Sequence, residues 1–287
     1  MAKALGIDRT ARYRKPAQMS ARNRADIAIL RVAHALEPRY GVRRLAIYLG
    51  WSENKTRRIR ILADVTISRP RRKYRGYKAN PEIATPANHL HGYAVPRVEG
   101  RPQDGMDYRA MTQAKAWVQD FTYIRIGAGM FYLALVMELK TRRILSWRLG
   151  SNHSSQLTHS ALTDALRKHA PPRILHSDQG SEYLSERHQK TCEFYGINLS
   201  ASRAGAPWQN GFMERFMRTL KEELGPLSRI HNLEELFFAV TQTIYYYNHI
   251  RIHTELKMSP VAYATGNKQA LKFGEIKRDR VLQEVGA

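Results

Sequence analysis

The first part of the chain carries apolar residues at the three- and four-residue intervals that mark amphipathic helices. The pattern predicts one helix that stops before Pro38 and a second that runs from Tyr40 to Leu49. A third is predicted over residues 53–63, with Ser52 as its N-cap. Two short helices joined by a glycine-containing turn are typical of helix-turn-helix modules, although short three-helix modules also bind proteins.

From residue 113 onward, alternating positions and short apolar runs replace the helical spacing. The intervening residues 79–112 contain several prolines and no sustained period, which predicts a linker. The predicted elements are strands at 115–126, 131–139 and 143–149, a helix at 155–169, a strand at 173–177, a helix at 184–195, a strand at 197–202 and a helix that carries Glu214. The expected parts of the chain are a basic helical region at 1–78, the linker at 79–112, an α/β core at 113–268 and a tail at 269–287.

The charge of the chain is strongly positive and unevenly distributed. The formal net charge is +22, and residues 1–78 hold 21 of the 47 Lys and Arg residues but only 5 of the 25 acidic ones. A basic region this concentrated indicates salt-sensitive binding to a polyanion such as DNA, and a solvated face that aids solubility is the alternative. The basic third helix is the candidate for insertion into a DNA groove.

Two further features exclude other classes of protein. The single cysteine, Cys192, rules out an internal disulfide and fits a reducing compartment. The longest apolar run, residues 130–137, is too short to cross a membrane, and the N-terminus has no apolar segment typical of a secretory signal. We therefore expect a cytoplasmic protein with no membrane partner.

Three carboxylates lie in distinct local contexts. Asp120 lies inside the strand-like run WVQDFTYI, Asp178 follows the short apolar strand of ILHSDQGSEY, and Glu214 lies on an amphipathic helix. Taken singly, each has a structural explanation: a buried acid bonded to the backbone, a turn residue, and a helix charge paired with Arg218. Together they match the needs of hard divalent ions, which bind a few carboxylates and, as a pair about 4 Å apart, hold both oxygens of a phosphoryl transfer.

The neighbourhoods of these acids carry a family resemblance. W-x-x-D-x-T, H-S-D-x-G-x-x-Y and N-G-x-x-E-R, with 35 residues between Asp178 and Glu214, resemble the DDE transposase and retroviral integrase superfamily. Within it the chain most resembles the second-frame (OrfB-type) transposases of bacterial insertion sequences. The core of the resemblance covers about residues 112–266, with weaker matches at YGVRRLAIYLG, YNHIRIH and SPVAY. With one cysteine, the chain cannot form the His-His-Cys-Cys zinc module of retroviral integrases.

The resemblance implies a fold, a site and a reaction. The fold is a ribonuclease H-like integrase catalytic core at 113–268, preceded by the helix-turn-helix-like region. Asp120, Asp178 and Glu214 are the implied catalytic and metal-binding residues, with Asp120 bridging two Mg²⁺ ions and Mn²⁺ as an alternative metal. The implied reaction is metal-dependent DNA strand cleavage and strand transfer at insertion-sequence ends, leading to DNA integration.

The expected partner is double-stranded DNA, as transposon ends and as target. The predicted DNA-binding residues are Arg43, Arg44, Lys55, Arg57 and Arg58 in the helical region and Asn210, Arg218 and Lys221 around the helix of Glu214. A homo-oligomer on DNA, an upstream-frame (OrfA-type) partner or fusion, and a location at the bacterial nucleoid are also implied by the resemblance.

Some residues and functions stay open at this point. Glu182, Glu222 and Glu223 lack a motif context and are expected to be surface charges, and His176 is assigned no catalytic role. Arg251 and His253 match a late Asn-x-x-Arg-x-His element of the family whose role the sequence does not define. A DNA-binding regulator with an inactive core and a nuclease that cuts without joining are the two alternative functions.

Overall fold

The computed structural model describes residues 21–66, 86–93, 95–96, 106–107, 112, 115–202 and 210–266. These residues fall into two compact units, one formed by residues 21–66 and the other by the described residues from 86 to 266. Within these ranges, no helix is long and apolar enough to cross a membrane. The basic run at 69–78 and the tail at 269–287 lie outside the described residues.

The N-terminal unit consists of three helices around a small apolar core. The helices are α1 (Ala21–Leu36), α2 (Val42–Leu49) and α3 (Glu53–Leu62), as the apolar spacing predicted. Leu30 and Ile59 are fully buried at its centre. The predicted N-cap is confirmed, because the Ser52 side chain accepts a hydrogen bond from the backbone N–H of Lys55. Gly50 ends α2 with a φ of 64°, a conformation that glycine adopts without strain.

Part of the predicted linker belongs to the second unit. Strands β1 (Val95–Pro96) and β2 (Met106–Asp107) pair antiparallel within it. Leu90 is only 1% exposed and joins the main apolar core, and the backbone N–H of His89 donates to Ser200 Oγ at 2.9 Å. This segment therefore packs against the core.

A five-stranded mixed sheet forms the second unit, in the order β5–β4–β3–β6–β7. Its strands are β3 (Ala116–Ile126), β4 (Gly129–Glu138), β5 (Ile144–Gly150), β6 (Ile174–Ser177) and β7 (Asn198–Ala201). β3, β4 and β5 form an antiparallel meander, whereas β6 and β7 add in parallel to the other edge of β3. A meander of three strands followed by parallel strands linked through helices is the ribonuclease H-like arrangement, so the predicted fold class is confirmed.

Helices cover both faces of this sheet. α4 (Ser155–Lys168) and α5 (Glu186–Phe194) lie on one face, and α6 (Gly211–Leu224) and α7 (Leu233–His249) lie on the other, followed by the short α8 (Pro260–Ala264). The consecutive residues Trp117 and Val118 of β3 contribute to the two opposite cores. Since successive side chains of a strand point to opposite faces, β3 is buried on both sides.

The late Asn-x-x-Arg-x-His element connects α7 to two other parts of the core. The Asn248 side chain accepts a hydrogen bond from the backbone N–H of Ile144 and donates one to its carbonyl, both at 2.9 Å. Arg251 Nε lies 3.1 Å from Glu223 Oε1, with side chains only 6% and 12% exposed. The backbone N–H of His253 donates to the Met258 carbonyl at 3.0 Å. The expectation that Glu223 is a surface charge is wrong, because it forms a nearly buried ion pair that holds α6.

Candidate active site

Asp120 and Asp178 are carried by the two neighbouring parallel strands at the centre of the sheet. Asp120 lies midway along β3, and Asp178 is the first residue after β6. Val118 of β3 pairs with His176 of β6, so continuing the same register by two residues places Asp178 beside Asp120. Because alternate strand residues point to the same face, both carboxyl groups lie on one side of the sheet.

The electrostatics of the two aspartates show that several carboxylates share this site. Burial raises the pKa of Asp120 well above its usual range, and the charges of Asp178, Glu182 and Glu214 raise it further. Burial also raises the pKa of Asp178, with a further contribution from Glu182. The N–H of Gly180, 3.0 Å from Asp178 Oδ1, acts in the opposite direction because it stabilises the ionised carboxylate.

Glu214 reaches the same site from a different element. It lies in the first turn of α6, whose buried face includes Met213, Phe216 and Leu220, while Glu214 itself is exposed. Its charge acts on Asp120. Glu214 therefore acts electrostatically on the site of the two aspartates, although within the described ranges no three His, Cys, Asp or Glu side chains are close enough to hold a metal ion.

Two further residues, which the sequence did not place at the site, lie beside the aspartates. Glu182 is only 5% exposed, so its assignment as a surface charge is wrong. Its Oε1 lies 3.4 Å from His153 Nε2. Tyr183 is 1% exposed, and the pKa of its hydroxyl is raised by burial and by the charges of Asp120, Asp178 and Glu182. The only sequence signal for either residue is its place in SDQGSEY, directly after the turn that Asp178 begins.

His176 is a structural residue despite its place beside the acids. It is fully buried, and its two ring nitrogens lie 2.9 Å from Ser200 Oγ and 3.0 Å from Ser202 Oγ. Burial lowers its pKa to about 4, so the ring is neutral at pH 7. The hydroxyl groups of Ser200 in β7 and of Ser202, just after β7, thus occupy both ring nitrogens, which agrees with the absence of a catalytic role.

The two basic residues of α6 that are predicted to contact DNA lie on its exposed side. Asn210, the residue just before the helix, is buried. Lys221 Nζ lies 5.0 Å from the centre of the Tyr123 ring, and the charge of Asp120 opposes the lowering of its pKa by burial. Arg218 is exposed and lies 3.8 Å from Glu222. Asn210 is 7% exposed. Lys221 is therefore a predicted DNA contact that interacts electrostatically with Asp120.

The predicted DNA contacts of the N-terminal unit differ in their availability. Arg43, Arg57 and Arg58 are exposed, whereas Arg44 is partly buried, with its guanidinium 5.8 Å from the centre of the Tyr40 ring. Lys55 Nζ donates to Asp26 Oδ1 at 2.8 Å and lies 4.0 Å from the centre of the Trp51 ring. Lys55 thus holds α3 against α1, and a contact with phosphate would have to compete with Asp26.

A ribonuclease H-like sheet with acids on its two central strands and a third acid on a covering helix defines an integrase-type core. Residues 112–207 and 195–260 match two family models, each described as an integrase core domain. The chain is 30% identical over 243 residues to the transposase InsK for insertion sequence element IS150 of Escherichia coli, covering 82% of this chain and 81% of that protein. It is 35% identical over 156 residues to the transposase for insertion sequence element IS904 of Lactococcus lactis, covering 52% of this chain and 60% of the relative. The chain belongs to the IS3-type transposases of the transposase and integrase superfamily.

Solved structures of viral integrases are also similar to this chain. One is the catalytic core domain of the HTLV-2 integrase in complex with magnesium, with 22% identity, a TM-score of 0.41, and coverage of 48% of this chain and 88% of that one. Another is the simian T-cell lymphotropic virus intasome in complex with a PP2A regulatory subunit, with 16% identity, a TM-score of 0.48, and coverage of 82% and 73%.

Proposed function

We propose that this transposase cleaves and joins DNA strands at the ends of an insertion sequence, with Asp120, Asp178 and Glu214 as its catalytic carboxylates. The observation that supports the proposal is the position of Asp120 and Asp178 at two adjacent strands and of Glu214 on α6, with the charges of Asp178 and Glu214 acting on Asp120. The charges of Asp178 and Glu214 raise the pKa of Asp120, so the three acids are unfavourable together unless a compensating charge is present. A purely structural cluster would have no reason to retain that repulsion.

The chemistry of the site fits divalent cations. Its ligand atoms are carboxylate oxygens, which are the ligands that Mg²⁺ and Mn²⁺ accept, and its histidine, His176, already has both ring nitrogens bonded. Asp120, Asp178 and Glu214 would hold two Mg²⁺ ions, with Mn²⁺ as an alternative. When bound, the ions would lower the pKa of an attacking water or 3′-hydroxyl and stabilise the leaving 3′-oxygen.

The protein's own residues would position the DNA for this reaction. Arg218 and Lys221 lie on the exposed side of α6, about one and two turns beyond Glu214, so their charges can contact phosphates next to the scissile bond. Arg57 and Arg58 on α3 would provide a second contact, with the DNA of the element's ends. The resulting 3′-hydroxyl would attack a second phosphodiester to complete integration.

The assembly would involve more than one chain. Two transposon ends must be held together, so we propose a homo-oligomer on double-stranded DNA, assisted by an upstream-frame (OrfA-type) protein or fusion. We place this complex at the nucleoid, in the cytoplasm of a bacterial cell, because its substrate is the chromosomal DNA that carries the element. The division into a DNA-binding region at 1–78, a linker at 79–112, a catalytic core at 113–268 and a tail at 269–287 is retained as part of this proposal.

A strand-joining assay tests the proposal directly. Labelled DNA with the element's ends is incubated with Mg²⁺ and either the wild type, Glu214→Gln or Glu222→Gln. Glu222 lies on the same helix as a half-exposed partner of Arg218, so its variant controls for loss of a charge on α6. We expect joined products from the wild type and from Glu222→Gln and none from Glu214→Gln. Cutting without joining in the wild type would favour the nuclease, and DNA binding without chemistry would favour the regulator.

A further inference from the structure

Glu182 occupies a fixed position in the turn that begins at Asp178. The backbone N–H of Tyr183 donates to the Gly180 carbonyl at 3.0 Å, and Asp178 Oδ1 accepts from the Gly180 N–H, so both ends of the turn are bonded. The Glu182 carboxylate folds back over Gly180. A Cβ atom placed on Gly180 would lie 2.4 Å from Glu182 Oε1, so the glycine leaves the space that this carboxylate fills.

The folded-back carboxylate lies close to the proposed catalytic aspartates. Its charge acts on both Asp120 and Asp178, and only 5% of its surface is exposed. The orientation of Glu182 therefore places its carboxylate near Asp120 and Asp178. Glu214 on α6 is the other acid of this site. Since a buried carboxylate without a compensating charge is costly, something must offset it.

The described residues offer little to offset this charge. Glu182 Oε1 forms no hydrogen bond with any described residue, and the nearby basic group is His153 Nε2, 3.4 Å away. An independent observation comes from the neighbouring hydroxyl of Tyr183. That side chain is 1% exposed, its oxygen also has no hydrogen-bond partner in the described ranges, and it interacts with the same three carboxylates. Two buried oxygen atoms with unused bonding capacity thus face one acidic site.

We infer that Glu182 is a fourth carboxylate of the divalent-cation site and binds the cation directly or through its bound water. The inference rests on the proposed function, because it adds a residue to the site assigned to Asp120, Asp178 and Glu214. Some carboxylates do not bind a metal directly but orient the groups that do. Removing such a carboxylate typically lowers metal affinity about 10–100-fold. A residue that served only as the partner of His153 would not change it.

Binding of Mn²⁺ to the full chain in the absence of DNA tests this inference. Mn²⁺ affinity is measured by electron paramagnetic resonance, and Tm is measured with EDTA and with Mn²⁺. For Glu182→Gln we expect Mn²⁺ affinity to fall about 10-fold or more. We also expect a higher Tm in EDTA, because one repelling buried charge is gone. Glu182→Asp keeps the charge on a shorter side chain and should retain more of the affinity than Glu182→Gln.

Two further variants separate the possible outcomes. Glu186→Gln is the matched control, since this glutamate is 81% exposed on α5 and pairs with Lys190. Unchanged Mn²⁺ affinity and a lower Tm in EDTA for Glu182→Gln would overturn the inference and make Glu182 a structural partner of His153. If Asp178→Asn weakens Mn²⁺ binding and Glu182→Gln does not, only the inference fails. If neither weakens it, the proposed metal site fails as well.

Discussion

Substitution of Arg251, which lies far along the chain from the proposed catalytic acids, should destabilise the core unit. Its guanidinium and the Glu223 carboxylate are 3.1 Å apart and only 6% and 12% exposed. Breaking a buried pair from one side leaves an uncompensated charge, at a cost of about 3–5 kcal/mol. Glu223 takes part in a further interaction that partly offsets the loss. We therefore expect Arg251→Met to lower the free energy of unfolding of this unit by about 3 kcal/mol.

Replacement of both partners should cost much less. In Arg251→Met/Glu223→Met neither charge is left buried, so the double variant should regain most of the stability that the single variant loses. Urea unfolding followed by the fluorescence of Trp117 and Trp147 measures this difference in the full chain, with the denaturant slope checked for each variant.

An exposed ion pair on the same helix provides the control. Arg218 and Glu222 are 3.8 Å apart and half-exposed, so Arg218→Met should cost less than about 1 kcal/mol. If Arg251→Met costs no more than Arg218→Met, the Arg251–Glu223 pair is effectively solvated and the reasoning from its burial is refuted.

Three shorter predictions concern charge, pH and capping. Asp120→Asn should abolish strand joining yet raise Tm in EDTA. The pKa of Asp120 is raised, so its ionised form destabilises the fold at neutral pH. The control Asp164→Asn loses an ion pair with Arg148 and should lower Tm. Burial lowers the pKa of His188 to about 4, so the unfolded state takes up the proton first as pH falls below 6.5, and stability decreases down to about pH 4. Its contribution, up to about 1.4 kcal/mol per pH unit, should be missing from the urea-measured pH profile of His188→Gln, and an unchanged profile would contradict the assignment. Ser52→Ala should destabilise the N-terminal unit by about 1 kcal/mol in urea, while Ser228→Ala, at an exposed position, should have no effect on it.

The sequence predicted the order of elements because each one has a local signal. The alternation in β3 and the apolar spacing of α6 are set by neighbouring residues, and the structure places β3 within one residue of its predicted bounds and Glu214 on a helix, as predicted. Motif context also drew attention to the three acids that the fold brings together. The pairing of β3 with β6 came from the family resemblance, since no local period encodes which strands are neighbours.

Three contacts could not be predicted from the sequence, because the partner is distant along the chain or because a turn decides the direction of the side chain. Glu223 resembles any polar residue on an amphipathic helix until Arg251, 28 positions later, is placed against it. Lys55 looks like a free basic residue on α3, but Asp26, 29 positions earlier, accepts its hydrogen bond. Glu182 is buried because its carboxylate folds back over Gly180, and that geometry is absent from any periodic pattern.

The contact between Arg251 and Glu223 can form only late in the synthesis of the protein. The strands that carry Asp120 and Asp178 emerge from the ribosome well before Arg251, which joins α6 to the segment after α7. A chain truncated before residue 251 lacks this contact with the helix of Glu214. Prematurely terminated fragments should therefore hold this helix less firmly than the full chain does.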